Sequence, residues 1–307
     1  MWWPGIITEE RSVAIVHEFE YLKPKTLKEA LHAVAKNRGA MLLAGGTDLV
    51  GHLKEGSVAP SLIVDIKGLR ELKKIVLKGR ILNVGALVTF GELMESRVIQ
   101  SKFPVLTEIA GKVASVGIRN RATMVGNICS AVPCLDSGPV LLAMDAIIHV
   151  KAVRGGRMIP AKKWFLQARK TAIKPGEIVT HVSIPLPEEK GAGCYIKLGR
   201  YQGEDLAQAS VFVWMGKKGQ SRVAFGSVGP TPLRGTRIEK HLKGKKLDPA
   251  VLDLAKELVS EEVSPITDIR ATKEYRLHMC KIMLERALLS AEARIRGNGP
   301  KYGKSLI

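Results

Sequence analysis

Two stretches of the chain carry residue types that could hold an anion. Residues 43–49, Leu-Ala-Gly-Gly-Thr-Asp-Leu, close an apolar strand-like run with two glycines, a hydroxyl and a carboxylate. Lacking a Cβ, glycine lets backbone N–H groups approach a bound phosphate, so this order of residues can build a phosphate cradle. Gly-Gly-Thr-Asp after a strand is also an ordinary turn, and the stretch alone does not separate the two. The second stretch, residues 121–127, also contains a glycine, and the segment around it, residues 118–137, is long, polar and glycine-poor for a linker.

The bulk properties limit what these stretches can serve. A chain of 307 residues with 46% hydrophobic content can bury a sizeable core in about two to three domains. Its most apolar window, residues 139–150, contains Asp145 and His149 and is shorter than the ~20 residues a bilayer helix needs. The first seven residues lack the basic n-region of a secretory signal, which points to the cytoplasm. Cys129, Cys134, Cys194 and Cys280 form no Cys-x-x-Cys pair, so reduced thiols are expected, with neither a disulfide framework nor a metal site. The net charge of +19 raises the possibility of nucleic-acid binding. Against it, the basic residues lie in small scattered groups, aromatics make up 5%, and no recognition motif stands out. A surface meeting an acidic partner, or a solvated one, remains for the charge.

Elements that could position the two stretches follow from periodicity. Residues 18–22 read as a strand, then a helix begins at a Thr26/Glu29 capping box, carries apolar residues at helical spacing and ends near Gly39 at its C′ position. Residues 61–65 form a buried strand. A hairpin spans 74–85, Thr89 and Glu92 make a second capping box, and Pro104 opens a helix to about Val113. An apolar helix from Pro139 precedes strands at 146–150 and 177–184. Residues 185–191 combine proline, charge and glycine as a linker. Beyond it, strands at 194–198, 208–215 and 222–227 form an antiparallel meander. Helices near 238–242, 249–259 and 272–294 follow, and the basic tail from Arg296 is expected to fray.

Joined in order, these motifs are recognisable. Residues 44–49, then 119–128 leading to Ser130-Ala131-Val132-Pro133 and Asp136-Ser137, resemble the FAD-binding medium subunit of the molybdenum hydroxylases, the xanthine dehydrogenase, carbon monoxide dehydrogenase and aldehyde oxidoreductase family. The similarity continues through Lys197-Leu198-Gly199-Arg200, Asp205-Leu206-Ala207, Gly229-Pro230-Thr231-Pro232, Asp268-Ile269-Arg270-Ala271-Thr272 and Glu274-Tyr275-Arg276. Several ordered motifs weigh more than one glycine loop.

The resemblance implies an α+β protein: a two-subdomain FAD-binding fold of the vanillyl-alcohol-oxidase (PCMH) type, residues 14–67 and 68–187, then a C-terminal α+β domain at 191–295 and a basic tail at 296–307. It implies that Leu43, Ala44, Gly45, Gly46, Thr47, Asp48 and Leu49 wrap the FAD pyrophosphate. Ala122, Thr123, Gly126, Asn127 and Ser130 would close over it, Asp136 would accept from the sugar, and Val179 and Lys197 would line the isoalloxazine edge, where a cation favours reduced flavin. A molybdopterin-binding large subunit and a small subunit with 2Fe-2S clusters are the implied partners, in a dimer of heterotrimers with NAD⁺ or another final acceptor. No catalytic acid, base or nucleophile is needed in this oxidoreductase subunit.

The second loop departs from the family in having Val125 where an adjacent glycine is usual, which puts more phosphate binding on Gly45, Gly46 and Thr47. Between Pro139 and Gly193 there is no cysteine, so the extra four-cysteine cluster of some relatives is not expected. His32, His149 and the four tryptophans read as surface or packing residues, and Arg200 with Asp205 as a pair across a loop or a flavin-side pair. A self-contained FAD-dependent oxidoreductase and a basic nucleic-acid-binding protein are the readings from other classes.

Overall fold

The computed structural model describes residues 15–201 and 204–307; Trp2 and Trp3 lie outside them. Three parallel strands form the first sheet, Leu62–Asp65 between Glu20–Leu22 and Ala40–Leu43. All four residues of the central strand are buried, as its continuous apolar run requires. Parallel strands need a crossover, and the helix Leu27–Lys36 supplies it from Glu20–Leu22 to Ala40–Leu43, on opposite sides of the central strand. The Thr26 hydroxyl accepts from the Glu29 N–H, but the Glu29 carboxylate reaches the N–H of Lys25, so the capping box is only half closed. Asn37 caps the C-terminus through the Ala33 carbonyl, two residues before the glycine expected to do so.

The second sheet has five antiparallel strands in the order Ile75–Lys78, Ile81–Gly85, Ile178–Pro185, Ile147–Lys151, Gly156–Pro160. Its last strand carries glycine, arginine and a terminal proline, which an edge position tolerates and which hides the strand from a pattern search. Thr89 and Glu92 close a complete capping box for the helix Phe90–Glu95. Of the short helices that follow, Met124–Ser130 packs on the strand Ile178–Pro185, whereas Val105–Gly111 packs on the strand Gly191–Leu198 and Ser137–Ala143 on the strand Ser221–Gly226. Trp164, fully buried, donates its indole N–H to the carbonyl of Ile128 at 2.9 Å and so ties the helix Met124–Ser130 to the core.

The strands Gly191–Leu198, Ala209–Gly216, Ser221–Gly226 and Leu233–Arg234 make the third sheet, antiparallel throughout. Tyr195, Phe212 and Trp214 on one face join the core of the first two sheets. Cys194, Ile196, Val211 and Val213 on the other pack under the helices Thr236–Leu242, Pro249–Glu262 and Lys273–Arg296. Alternation along each strand thus feeds two cores. Asp205 accepts from the N–H groups of Arg200 and Leu206 and braces the loop after this sheet's first strand.

The tail is not frayed. Arg294 donates to the carbonyls of Pro300 and Lys301, Arg286 donates to that of Leu306, and Leu306 and Ile307 pack on the second core. Composition suggested fraying; anchorage comes from an arginine at the end of the preceding helix. Among the described residues, no helix is long and apolar enough to cross a membrane.

Candidate functional site

The first stretch leaves the edge strand Ala40–Leu43 and turns sharply. A Cβ on Gly45 would sit 2.1 Å from the Arg121 carbonyl oxygen and 3.0 Å from the Cα of Ala122. Glycine is required there because the second stretch lies directly against it. Gly46 follows at φ +81°, a left-handed conformation. The N–H groups of Gly45, Gly46, Thr47, Asp48 and Leu49 have no acceptor among the described residues. Successive free N–H groups around a left-handed residue form a concave, positively polarised nest suited to a phosphate anion. Leu43, Ala44 and Thr47 are half-buried around it.

The second stretch is held rigidly. The Ala122 carbonyl accepts from the N–H of Phe90 at 3.0 Å, and Thr89 and Thr123 form an isolated antiparallel bridge. The Thr123 hydroxyl caps the helix Met124–Ser130 by accepting from the Gly126 N–H at 2.9 Å. The Asn127 amide oxygen accepts from the N–H and hydroxyl of Ser137. Ala131 ends the helix at φ +46°. The Ser130 hydroxyl donates to the Asp48 carboxylate, so the two stretches touch both at this pair and at Gly45 against Arg121. Val125 is 4% exposed and packs in the main core. Its side chain therefore faces away from the jaws and does not occupy them.

A third group adjoins the second stretch through the Ser137–Asn127 contact. Asp136, 6% exposed, precedes the helix Ser137–Ala143; its Oδ1 accepts from the Tyr195 hydroxyl at 2.8 Å and its Oδ2 from Lys197 Nζ at 3.0 Å. Lys197 also donates to the Lys112 carbonyl at 2.8 Å. Burial pushes the Asp136 carboxyl up, and the Lys197 charge with the Tyr195 hydrogen bond pulls against it without prevailing. Burial, then the Asp136 charge, also holds the Tyr195 hydroxyl well above its usual range. Both Asp136 oxygens are thus engaged by the protein, and the Lys197 cation is largely compensated.

Asp136 and Lys197, far apart in sequence, are brought together. Val179 is not in their polar group: it pairs with Val150 in the five-stranded sheet and is 3% exposed. Tyr195 was missed, since one tyrosine in a buried strand gives no signal until its hydroxyl is seen on Asp136. His149 stacks on His181 with ring centroids 4.0 Å apart, a pairing invisible in sequence. Two surface clefts of about 300 and 380 Å³ border Leu27 and Glu71 and involve neither stretch.

The donor set fits FAD on this chain's own terms. A diphosphate needs several converging N–H donors and no side chain in the way, which the Gly45-to-Leu49 nest supplies. Residues 17–187 match the family model of the FAD binding domain in molybdopterin dehydrogenase, and residues 196–291 that of the CO dehydrogenase flavoprotein C-terminal domain. The chain is 31% identical to the putative xanthine dehydrogenase FAD-binding subunit of Escherichia coli, covering 90% of this chain and 97% of that one. Identity is also 31% to the glyceraldehyde dehydrogenase medium chain of Sulfolobus acidocaldarius, over 88% and 97%. The solved reconstituted CO dehydrogenase from Oligotropha carboxidovorans superimposes with a TM-score of 0.87 at 31% identity, covering 90% of this chain and 98% of that one. With the nest, the three larger sheets and these matches in agreement, the chain belongs to the FAD-binding medium subunits of the molybdenum hydroxylase family, the oxidoreductases whose FAD domain is of the PCMH type.

Proposed function

We propose that this chain is the electron-transfer subunit of a cytoplasmic molybdenum hydroxylase complex. It receives electrons from 2Fe-2S clusters on a small partner subunit and delivers them to NAD⁺ or another acceptor. A large molybdopterin-binding subunit oxidises the substrate, and the assembly is a dimer of heterotrimers. When bound, FAD would supply the redox chemistry, one- or two-electron exchange including hydride transfer.

In this reading the chain's own residues bind and tune. Residues 43–49 bind the diphosphate through backbone N–H groups, and the 122–130 segment closes the opposite side. Lys197, shared between Asp136 and the Lys112 carbonyl, presents a muted positive charge to the isoalloxazine edge. The division into 14–67, 68–187, 191–295 and a basic tail follows these roles. Relatives at equal identity carry xanthine, glyceraldehyde and CO in their names, which supports a substrate choice made outside this type of subunit.

The observation that carries the proposal is the row of N–H groups from Gly45 to Leu49 that have no acceptor among the described residues, in a loop held against the second stretch. Purification from the native source tests it. A yellow chain that arrives with a molybdenum-containing large subunit and an iron–sulfur small subunit is the expected result. A colourless chain without those partners would refute it, and substrate turnover by the yellow chain alone would replace it with a self-contained FAD-dependent oxidoreductase.

A further inference from the structure

One carboxylate joins the helix Val105–Gly111 to three C-terminal segments. The Glu108 side chain is 0% exposed and meets the 4%-exposed Arg294 guanidinium at 2.8 Å. Its Oε2 accepts from the Tyr195 N–H at 2.9 Å and from Nη1 of Arg294 at 3.1 Å. Oε1 accepts from Nη2 of Arg294 at 2.8 Å and from the Gly303 N–H at 3.1 Å. The four acceptor positions of the carboxylate are all used. Arg294 also donates to the Gly193 carbonyl, and the Tyr302 ring covers its guanidinium, 3.9 Å from the ring centroid. A buried ion pair adds little net stability, because desolvating both charges offsets most of their attraction. What this one supplies is geometry.

One helical turn beyond Glu108, the Lys112 carbonyl accepts from Lys197 Nζ at 2.8 Å. The matching contacts on the strand Gly191–Leu198 are two residues apart, at Tyr195 and Lys197. A helix rises ~6 Å over four residues and a strand ~6.6 Å over two. The two contacts therefore fit together in a single register of helix against strand. That register puts the Lys197 ammonium between the Lys112 carbonyl and the Asp136 carboxylate.

We infer that Glu108 is a positioning residue for Lys197: with Arg294, Tyr302 and Gly303 it locks the register that delivers the ammonium to Asp136. The C-terminal tail is then part of the scaffold of the candidate site. Only the consequence for flavin rests on the function proposed above.

The test uses the full-length chain and two readouts. Glu108→Gln keeps the shape of the side chain but turns one acceptor into a donor facing N–H groups. Without FAD, acetic anhydride labelling followed by mass spectrometry should modify Lys197 about tenfold faster in Glu108→Gln and in Tyr302→Ala, with exposed Lys78 unchanged. With FAD, Lys197→Met should change the ratio of affinities for oxidised and reduced flavin about tenfold, ~30 mV for a two-electron couple. Glu108→Gln should change it in the same direction, and no further when combined with Lys197→Met. A merely structural glutamate would give additive changes; that outcome, or Lys197 labelling unchanged in both variants, overturns the inference. If Glu108→Gln does not fold, Tyr302→Ala carries both readouts. A wild-type chain that takes up no FAD would refute the proposed function, while the labelling comparison would still decide the role of Glu108.

Discussion

Asp48 and Ser130 stand 82 residues apart in the chain, and the Ser130 hydroxyl donates a hydrogen bond to the Asp48 carboxylate. This contact and the packing of Gly45 on Arg121 hold the two glycine-bearing stretches face to face. Gly45→Ala should open them, because the added Cβ would lie 2.1 Å from a carbonyl oxygen that belongs to backbone and cannot swing away. FAD affinity is expected to fall at least ~10-fold, ~1.4 kcal/mol. Gly51→Ala, whose Cβ meets nothing within 4 Å, should retain FAD. Flavin titration of both variants checks this; equal affinities would remove the first stretch from the site.

Asp136→Asn leaves the Lys197 ammonium, 7% exposed, without its anionic partner. Breaking a buried pair from one side typically costs ~3 kcal/mol or more. Replacing both, as Asp136→Asn with Lys197→Met, should recover at least half of that loss, since no uncompensated charge stays behind. Urea unfolding of the three variants gives the cycle, and a double variant no better than the single would show that the pair is not the source.

The His149–His181 stack predicts a pH effect. Burial, then the charges of His149 and Lys151, hold His181 down to about 4, below the ~6.5 of an unfolded histidine. The unfolded chain therefore binds a proton that the folded chain refuses, and stability drops as pH falls from ~6.5 toward the folded value. His181→Gln should flatten that part of the profile. Denaturant midpoints between pH ~7 and ~4.5 measure it, and parallel profiles for both proteins would contradict it.

Val125→Gly restores the adjacent glycines usual in the family but removes a side chain that is 4% exposed in the core. The expected result is a loss of ~2–3 kcal/mol, from the cavity and from glycine within a helix, with no gain in FAD affinity. Tighter FAD binding would mean that Val125 obstructs the second stretch after all.

Much of this was legible in the chain itself. The capping box at Thr89 and Glu92, the Pro at the start of the helix Pro249–Glu262 and the antiparallel meander after residue 190 are set by neighbours within a few residues, and local rules capture such contacts. The order of motifs from Ala44 to Arg276 was enough to identify the family. The edge strand Gly156–Pro160 escaped because its pattern is weak and its existence depends on a partner strand.

The site divides in the same way. Residue types alone marked Gly45, Gly46 and Thr47 as able to bind an anion, and the resemblance added Thr123 and Asp136. That Gly45 must be glycine because Arg121 lies against it, that Val125 points into the core, and that Asp136 holds Tyr195 and Lys197 were decided only by tertiary structure. The tail makes the clearest contrast: its composition reads as frayed, yet Glu108, almost 200 residues earlier, anchors it through Arg294 and Gly303. A one-dimensional pattern records which donors and acceptors exist; which of them meet is set by packing between distant segments, and a buried carboxylate takes whatever donors that packing brings.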